Sequence, residues 1–207
     1  MNNYKEQFIK FCLDHKVLSF GNFILKSGRT SHYFFNAGLF STNTAIAKLG
    51  EYYAELIYKN NVKFDCLFGP AYKGIPLAVT TSIALAKNYN LEISLAFNRK
   101  ETKTHGEGGN IIGADLKNKN ILLIDDVISA GTATKETIEL LSNYPVNIIG
   151  VVIALDRKME AHKNNYKTAS EEITGEYNIP VYSLVNIDDI IAFTKNNQEY
   201  SEISKLF

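Results

Sequence analysis

With 207 residues, 45% of them hydrophobic and 21% charged, the chain is long enough to bury a sizeable core and is expected to form a single domain, 1–207. Lys plus Arg and Asp plus Glu both number 22, so no overall field draws in nucleic acid or an anionic membrane, and an anionic ligand must be held by locally gathered charge. No apolar run reaches the length of a membrane span, and the start Met-Asn-Asn-Tyr-Lys-Glu-Gln lacks the basic-then-apolar form of a secretory signal, so a cytoplasmic location is expected.

Residues 3–15 place Tyr4, Phe8, Phe11, Cys12 and His15 at helical spacing, which predicts an amphipathic helix that Gly21 does not let continue. Cys12 and Cys66 each lie in an apolar pattern with no second thiol nearby, so both are expected as buried packing residues rather than zinc ligands or a disulfide. Phe20, Phe23 and Leu25, the turn Lys26-Ser-Gly-Arg29 and the return over 31–36 predict a hairpin outside the main sheet. Adjacent Phe34 and Phe35 then point to opposite faces, one into the core and one toward a lid or interface. In a second reading the hairpin covers a flat heterocycle and Lys26 faces an acidic ligand.

Thr42 and Thr44 supply the cap of a helix over 45–59. Residues 64–68 read as the first core strand, emptying into Gly69-Pro-Ala-Tyr-Lys-Gly-Ile-Pro76 before a helix over 77–87. Lys73 beside Gly74 lets backbone amides and an ammonium share a diphosphate; taken alone, turn chemistry with a solvated lysine fits equally well. A strand over 93–97 leads into 98–113, where apolar residues are scarce and Gly106, Gly108 and Gly109 cost entropy to order. That stretch is expected to be mobile, either a lid bringing Arg99, Lys100, Lys103 and His105 to an anion or a solvated hairpin tip.

Ile121, Leu122, Leu123 and Ile124 are too uniformly apolar for a strand with a wet face and read as a central parallel strand that Asp125 and Asp126 end. Ser129, Ala130, Gly131 and Thr132 then lead into a helix over 133–141. Free amides at such a helix start favour an anion, and small residues let it approach. The two carboxylates beside it suit sugar hydroxyls or the orientation of a magnesium ion, which points to a ribose 5-phosphate. The plainer alternative is that the aspartates only end a strand while Ser129 or Thr132 caps a helix. A strong strand over 147–155 brings Arg157 to another carboxyl end, as a surface partner of Asp156 or Glu160 or as a fork for a ligand carboxylate. A loop over 158–167, a helix over 169–177, an edge strand over 181–184, a helix over 187–194 and a short final helix over 196–207 complete the reading.

The run from Leu123 to Ala133, Leu-Ile-Asp-Asp-Val-Ile-Ser-Ala-Gly-Thr-Ala, resembles the 5-phosphoribosyl 1-diphosphate (PRPP) signature of the type I phosphoribosyltransferases. Leu25-Lys-Ser-Gly-Arg29, Tyr33-Phe-Phe-Asn-Ala-Gly38, Phe68-Gly-Pro-Ala-Tyr-Lys-Gly-Ile-Pro76, Phe97-Asn-Arg-Lys-Glu101, Lys103 and His105-Gly-Glu-Gly-Gly109 narrow the resemblance to the orotate phosphoribosyltransferase family, over nearly the whole length. It implies the α/β type I phosphoribosyltransferase fold, a mostly parallel central sheet flanked by helices, with a core over about 41–185. A small N-terminal hood comes from about 1–40 plus the C-terminal segment. The implied reaction, in pyrimidine biosynthesis, moves ribose 5-phosphate from PRPP to orotate, with Mg2+ held through PRPP and water rather than by direct protein ligands.

The same resemblance implies that Asp125 and Asp126 face the ribose hydroxyls and that Val127, Ile128, Ser129, Ala130, Gly131, Thr132 and Ala133 cradle the 5-phosphate. Tyr72 and Lys73 meet the pyrophosphate, while Lys26, Phe34, Phe35, Ser129 and Arg157 surround orotate, Lys26 also nearing PRPP. It implies a homodimer in which Arg99, Lys103 and His105 act on the opposite subunit's site and Lys100 stays near its own, with Lys103 the main catalytic cation. Ser129 stands where many relatives carry Thr, and Thr104 where an acidic residue is expected; neither alters the chemistry. A PRPP-sensing regulator would need a basic face that the charge balance lacks, and a purine-base transferase would leave Arg157 and Lys26 without a carboxylate to bind.

Overall fold

The computed structural model describes residues 3–24, 30–103, 109–159, 167–200 and 202–206. Helix α1 (Asn3–Asp14) leads to a hairpin of β1 (Leu18–Ile24) and β2 (Thr30–Phe35). Then come α2 (Asn43–Lys59), β3 (Cys66–Gly69), α3 (Gly74–Tyr89), β4 (Ser94–Lys103), β5 (Gly109–Gly113) and β6 (Asn120–Ile128). Helix α4 (Thr132–Ser142), β7 (Asn147–Asp156), α5 (Ala169–Tyr177), β8 (Val181–Asn186) and α6 (Ile187–Asn196) close the fold.

The main sheet runs β5-β4-β3-β6-β7-β8, and β1 pairs with β2 as a separate two-stranded sheet. Strands β4, β3, β6, β7 and β8 are mutually parallel, whereas β5 is antiparallel to β4 at the edge. The unbroken apolar run in β6 has its explanation in two cores. Leu122 and Ile124 pack with α1, α2 and α3 residues such as Phe8, Leu49 and Leu77, while Ile121 and Leu123 pack with Ile138 and Leu141 of α4 and Ile173 of α5. Successive side chains point to opposite faces, so a strand covered on both sides has no position left for a polar residue.

Local sequence sets the helix ends. Thr42 caps α2 by accepting from the Ala45 amide, and Thr168 with Glu171 and Asn186 with Asp189 form capping boxes at α5 and α6. An aromatic cluster joins α1 to the body: Phe11 stacks on Phe40 at 4.7 Å, Phe8 meets Tyr52 edge-on at 5.0 Å, and the Tyr4 hydroxyl donates to the Tyr52 carbonyl. The hairpin is tied to the chain's end through Phe20 and Tyr200, whose rings lie 5.9 Å apart. Both cysteines are buried and free. Among the described residues, no helix is long and apolar enough to cross a membrane.

Four expectations need correction. Asp125 and Asp126 do not end β6, which runs on to Ile128 because β7 continues beside it, pairing Asp125 with Ile153 and Ile128 with Asp156. Helix α3 starts at Gly74 rather than at 77, since Pro76 in the first turn forfeits an amide that has no intrahelical partner. The described flanks of the 98–113 stretch are strand rather than loop: β4 extends to Lys103 and β5 returns along it, pairing Asn98 with Ile111 and Lys103 with Gly109. Backbone pairing on an open sheet edge replaces the apolar content the sequence lacks, and the tip, 104–108, lies outside the described residues. The chain's end forms two 3-10 turns, Gln198–Tyr200 and Ile203–Leu206, instead of one helix.

Candidate active site

The carboxyl ends of β3, β4 and β6 open on one side of the sheet, where parallel folds collect their ligands. Beyond Leu123, β6 has no pairing with β3, whose chain turns away at Gly69 toward α3. The last part of β6 therefore projects past its neighbour and carries Asp125 and Asp126 into a cavity of about 900 Å³. Its walls include Tyr72 and Lys73 from the β3–α3 loop, Arg99 and Lys100 from β4, and Leu140 from α4. A recess of about 210 Å³ adjoins it, formed by Val127, Ile128, Ser129, Ala130, Gly131, Thr132, Ala133 and Thr134.

The loop between β3 and α3 is closed tightly by its glycines. A methyl on Gly69 would stand 2.2 Å from the Gly74 carbonyl oxygen, and one on Gly74 would stand 2.5 Å from Pro70 Cδ and 2.9 Å from the Ile124 carbonyl oxygen. Asn98 fastens the loop from the side, its Oδ1 accepting from the Ala71 amide at 2.7 Å. The Ala71–Tyr72 peptide is cis. Lys73 then reaches across so that its Nζ donates to Asp126 Oδ2 at 2.6 Å. Tyr72, 68% exposed, lines the cavity with the Lys100 ammonium 4.9 Å from its ring centre.

The two aspartates differ in environment. Asp126 is buried and takes the Lys73 ammonium. Asp125 Oδ1 accepts from the Asp126 amide at 2.8 Å. Burial, with the neighbouring Asp126 charge second, pushes the Asp125 carboxyl up to about 7. Beneath them Tyr53 of α2 is wholly buried and donates its hydroxyl to the Asp125 carbonyl at 2.7 Å. Burial, then the two aspartates, drives the Tyr53 phenol well above its ordinary range.

At the recess, Gly131 occupies the cap position of α4 with φ +80° and no side-chain hydrogen bond closes the helix start. Neither Ser129 nor Thr132 is the cap, and Thr132, Ala133 and Thr134, the first residues of an 11-residue helix, line the recess. A phosphate suits this place, and the carboxylates a few ångströms along the strand suit hydroxyls.

The remaining residues fall into place unevenly. Arg157 is not a surface partner of Asp156: it is 6% exposed, its Nε has no hydrogen-bond partner among the described residues, and its Cζ lies 5.1 Å from the centre of the Tyr33 ring. Asp156 Oδ1 instead accepts from the Lys158 amide. Phe34 and Phe35 do face opposite ways: Phe35 is in the core, and Phe34, 40% exposed, packs on Phe23 at 5.5 Å. Lys103 ends β4, its side chain outside what is described, and Lys26 and His105 also lie outside the described residues. Tyr53, Asn98 and Tyr33 are additions that sequence reasoning missed. Each works through a partner at least 27 positions away, and Tyr53 sits in the apolar stripe of α2, where nothing local separates it from packing.

Among the described residues no three His, Cys, Asp or Glu side chains gather as a metal cluster. Residues 39–183 match the Phosphoribosyl transferase domain family. The chain is 50% identical over 202 residues to the orotate phosphoribosyltransferase of Mannheimia succiniciproducens, covering 98% of this chain and 93% of that one. It superposes on the crystal structure of orotate phosphoribosyltransferase from Francisella tularensis with a TM-score of 0.85 and 46% identity, covering 97% and 96% of the two chains. Leishmania donovani UMP synthase shares the fold at a TM-score of 0.74 and 21% identity, over 98% of this chain and 42% of its own.

Proposed function

The chain belongs to the orotate phosphoribosyltransferase family, and we propose that its cavity takes PRPP and orotate and forms orotidine 5′-phosphate and pyrophosphate, a step of pyrimidine biosynthesis. The observation that carries the reading is the juxtaposition at the end of β6. Two carboxylates, an ammonium 2.6 Å from one of them and an uncapped helix start lie along one wall. A sugar bearing phosphate at both ends is the ligand whose charges and hydroxyls match that order.

In this reading the recess from Val127 to Ala133 holds the 5-phosphate on the α4 amides, and Asp125 and Asp126 accept from the ribose hydroxyls. Tyr72 and Lys73 hold the diphosphate, Lys73 exchanging its contact with Asp126 for the ligand. Arg157, Ser129, Phe34, Phe35 and Lys26 enclose orotate, with the planar guanidinium suited to its carboxylate. Reaction breaks the bond from the anomeric carbon to the diphosphate and makes one to the pyrimidine nitrogen. Positive charge grows on the ribose and negative charge on the leaving group, so a cation that arrives only on closure lowers the barrier more than it aids binding. Lys103 has that role, aided by Arg99 and His105, all three acting on the opposite subunit's site in a homodimer, while Lys100 stays beside its own Tyr72. Closure also keeps water from the activated sugar.

Magnesium belongs to the proposal. Asp125 and Asp126, on the cavity wall, would orient an ion carried mainly by PRPP and water, which when bound would neutralise diphosphate charge. The hairpin with the C-terminal turns serves as a hood over a core of about 41–185. A cytoplasmic setting suits substrates too highly charged to cross a bilayer unaided.

The test is loss of orotate absorbance in the presence of PRPP and magnesium, with uracil, hypoxanthine and adenine as controls. Consumption of orotate alone is expected, and none at all would overturn the reading. Lys103→Ala should lower turnover by orders of magnitude. Mixed dimers of Lys103→Ala with an Asp125→Asn, Asp126→Asn subunit should recover one working site, and failure to recover would count against sites shared between subunits.

A further inference from the structure

We propose that Tyr33 is a positioning residue for the acceptor base: its ring, on the hood hairpin, holds the Arg157 guanidinium in the orientation that meets the base's carboxylate. The inference rests on the reading of Arg157 as the carboxylate fork, and goes beyond it in naming what orients that fork.

Arg157 stands just past β7, where Ile128 pairs with Asp156, so its backbone is fixed next to Ser129 and the recess. Its side chain is almost fully buried, which removes hydration from a permanent charge. Nε has no partner among the described residues, and the adjacent carboxylate of Asp156 is engaged by the Lys158 amide at 2.8 Å. A contact that offsets lost hydration is the Tyr33 face, 5.1 Å from Cζ, within the range where a ring attracts a cation and more strongly when water is excluded. A guanidinium laid on a ring keeps its edge free to donate in its own plane, which is the geometry a carboxylate needs.

Tyr33 is itself held in place. It pairs across the hairpin with Phe20, and Ser31 Oγ donates to its carbonyl at 2.6 Å while facing its amide at 3.4 Å. The ring is 6% exposed, and burial raises its phenol above the ordinary value, so a neutral ring faces Arg157. One residue comes from the hairpin and the other from the loop just past β7, and their contact ties the hood to the base site.

The experiment measures the KM of orotate and of PRPP separately, with kcat, for Tyr33→Leu, Tyr33→Phe, Arg157→Ala and the Tyr33→Leu, Arg157→Ala double variant. Removing the ring is expected to raise the orotate KM about tenfold, equivalent to about 1.4 kcal/mol, with the PRPP KM within about twofold. Tyr33→Phe keeps the ring and should stay within about twofold on both. In the Arg157→Ala background, Tyr33→Leu should add nothing. Should Tyr33→Leu not fold, Tyr33→Met carries the same expectation with a flexible side chain that fills similar space. A merely structural role would lower the active fraction, hence kcat, and leave the two KM values together. If Arg157→Ala raises the orotate KM while ring removal does not, the positioning role is wrong and the base-site reading stands. If Arg157→Ala leaves that KM unchanged, the base-site reading itself falls.

Discussion

Replacing Tyr53 with Phe deletes one oxygen from a side chain with 0% exposure and leaves its ring in the core. The lost group is the donor to the Asp125 carbonyl at 2.7 Å. A buried acceptor left short of a hydrogen bond costs about 1–3 kcal/mol, partly offset because a phenol no longer has to be desolvated, so a net loss of about 1–1.5 kcal/mol is expected. For a chain of this length that corresponds to about 2–6 °C in melting temperature at fixed protein concentration. The carbonyl belongs to the residue whose side chain faces the cavity, so the KM for PRPP should rise several-fold while that for orotate moves less. Thermal and urea unfolding of the apo protein, with steady-state kinetics, supply the numbers. A melting temperature within about 1 °C of the parent together with an unchanged KM for PRPP would show that the hydroxyl supports neither the strand end nor the carboxylates.

Gly74→Ala should cost about 1–3 kcal/mol in urea unfolding, since the new methyl meets Pro70 Cδ at 2.5 Å and the Gly69 carbonyl carbon at 2.8 Å, which no side-chain rotation relieves. Because Lys73 is the preceding residue, the variant's KM for PRPP should rise too; parent-like values of both would mean the loop has slack that the geometry denies. The Asp125 carboxyl is raised from 3.8 to about 7 by burial and then Asp126, so the folded state binds its proton more tightly than the unfolded chain. Its contribution to stability is therefore full below about pH 4, declines as pH rises toward about 7 and is flat above. Asp125→Asn should remove that decline in a pH series of urea unfolding, and an unaltered slope would contradict the assignment. Affinity for PRPP should rise over the same window in the parent, since the ribose hydroxyls need an acceptor carboxylate, and calorimetric titration at several pH values checks it.

Much of the layout was legible in order along the chain. The β6 run, the small residues after it and the capping residue Thr42 are local signals, because strand burial, helix starts and anion-binding turns are decided within a few residues. The pair Asp125 and Asp126 stood out for the same reason. What depended on neighbours did not show. β6 extends to Ile128 because β7 runs alongside, and 109–113 pairs with β4 because β4 presents an open edge.

By itself the sequence determined the alternation of buried strand and amphipathic helix, the loop that suits a phosphate and the chemical types gathered near it, since these follow from composition at short range. Only the tertiary structure decided that Lys73 faces Asp126, that Tyr53 supports Asp125 and that Tyr33 lies against Arg157. Those pairs are separated by 53, 72 and 124 positions in the chain. No local pattern encodes such a meeting; it results from how the sheet is ordered and which side chains that order leaves without water.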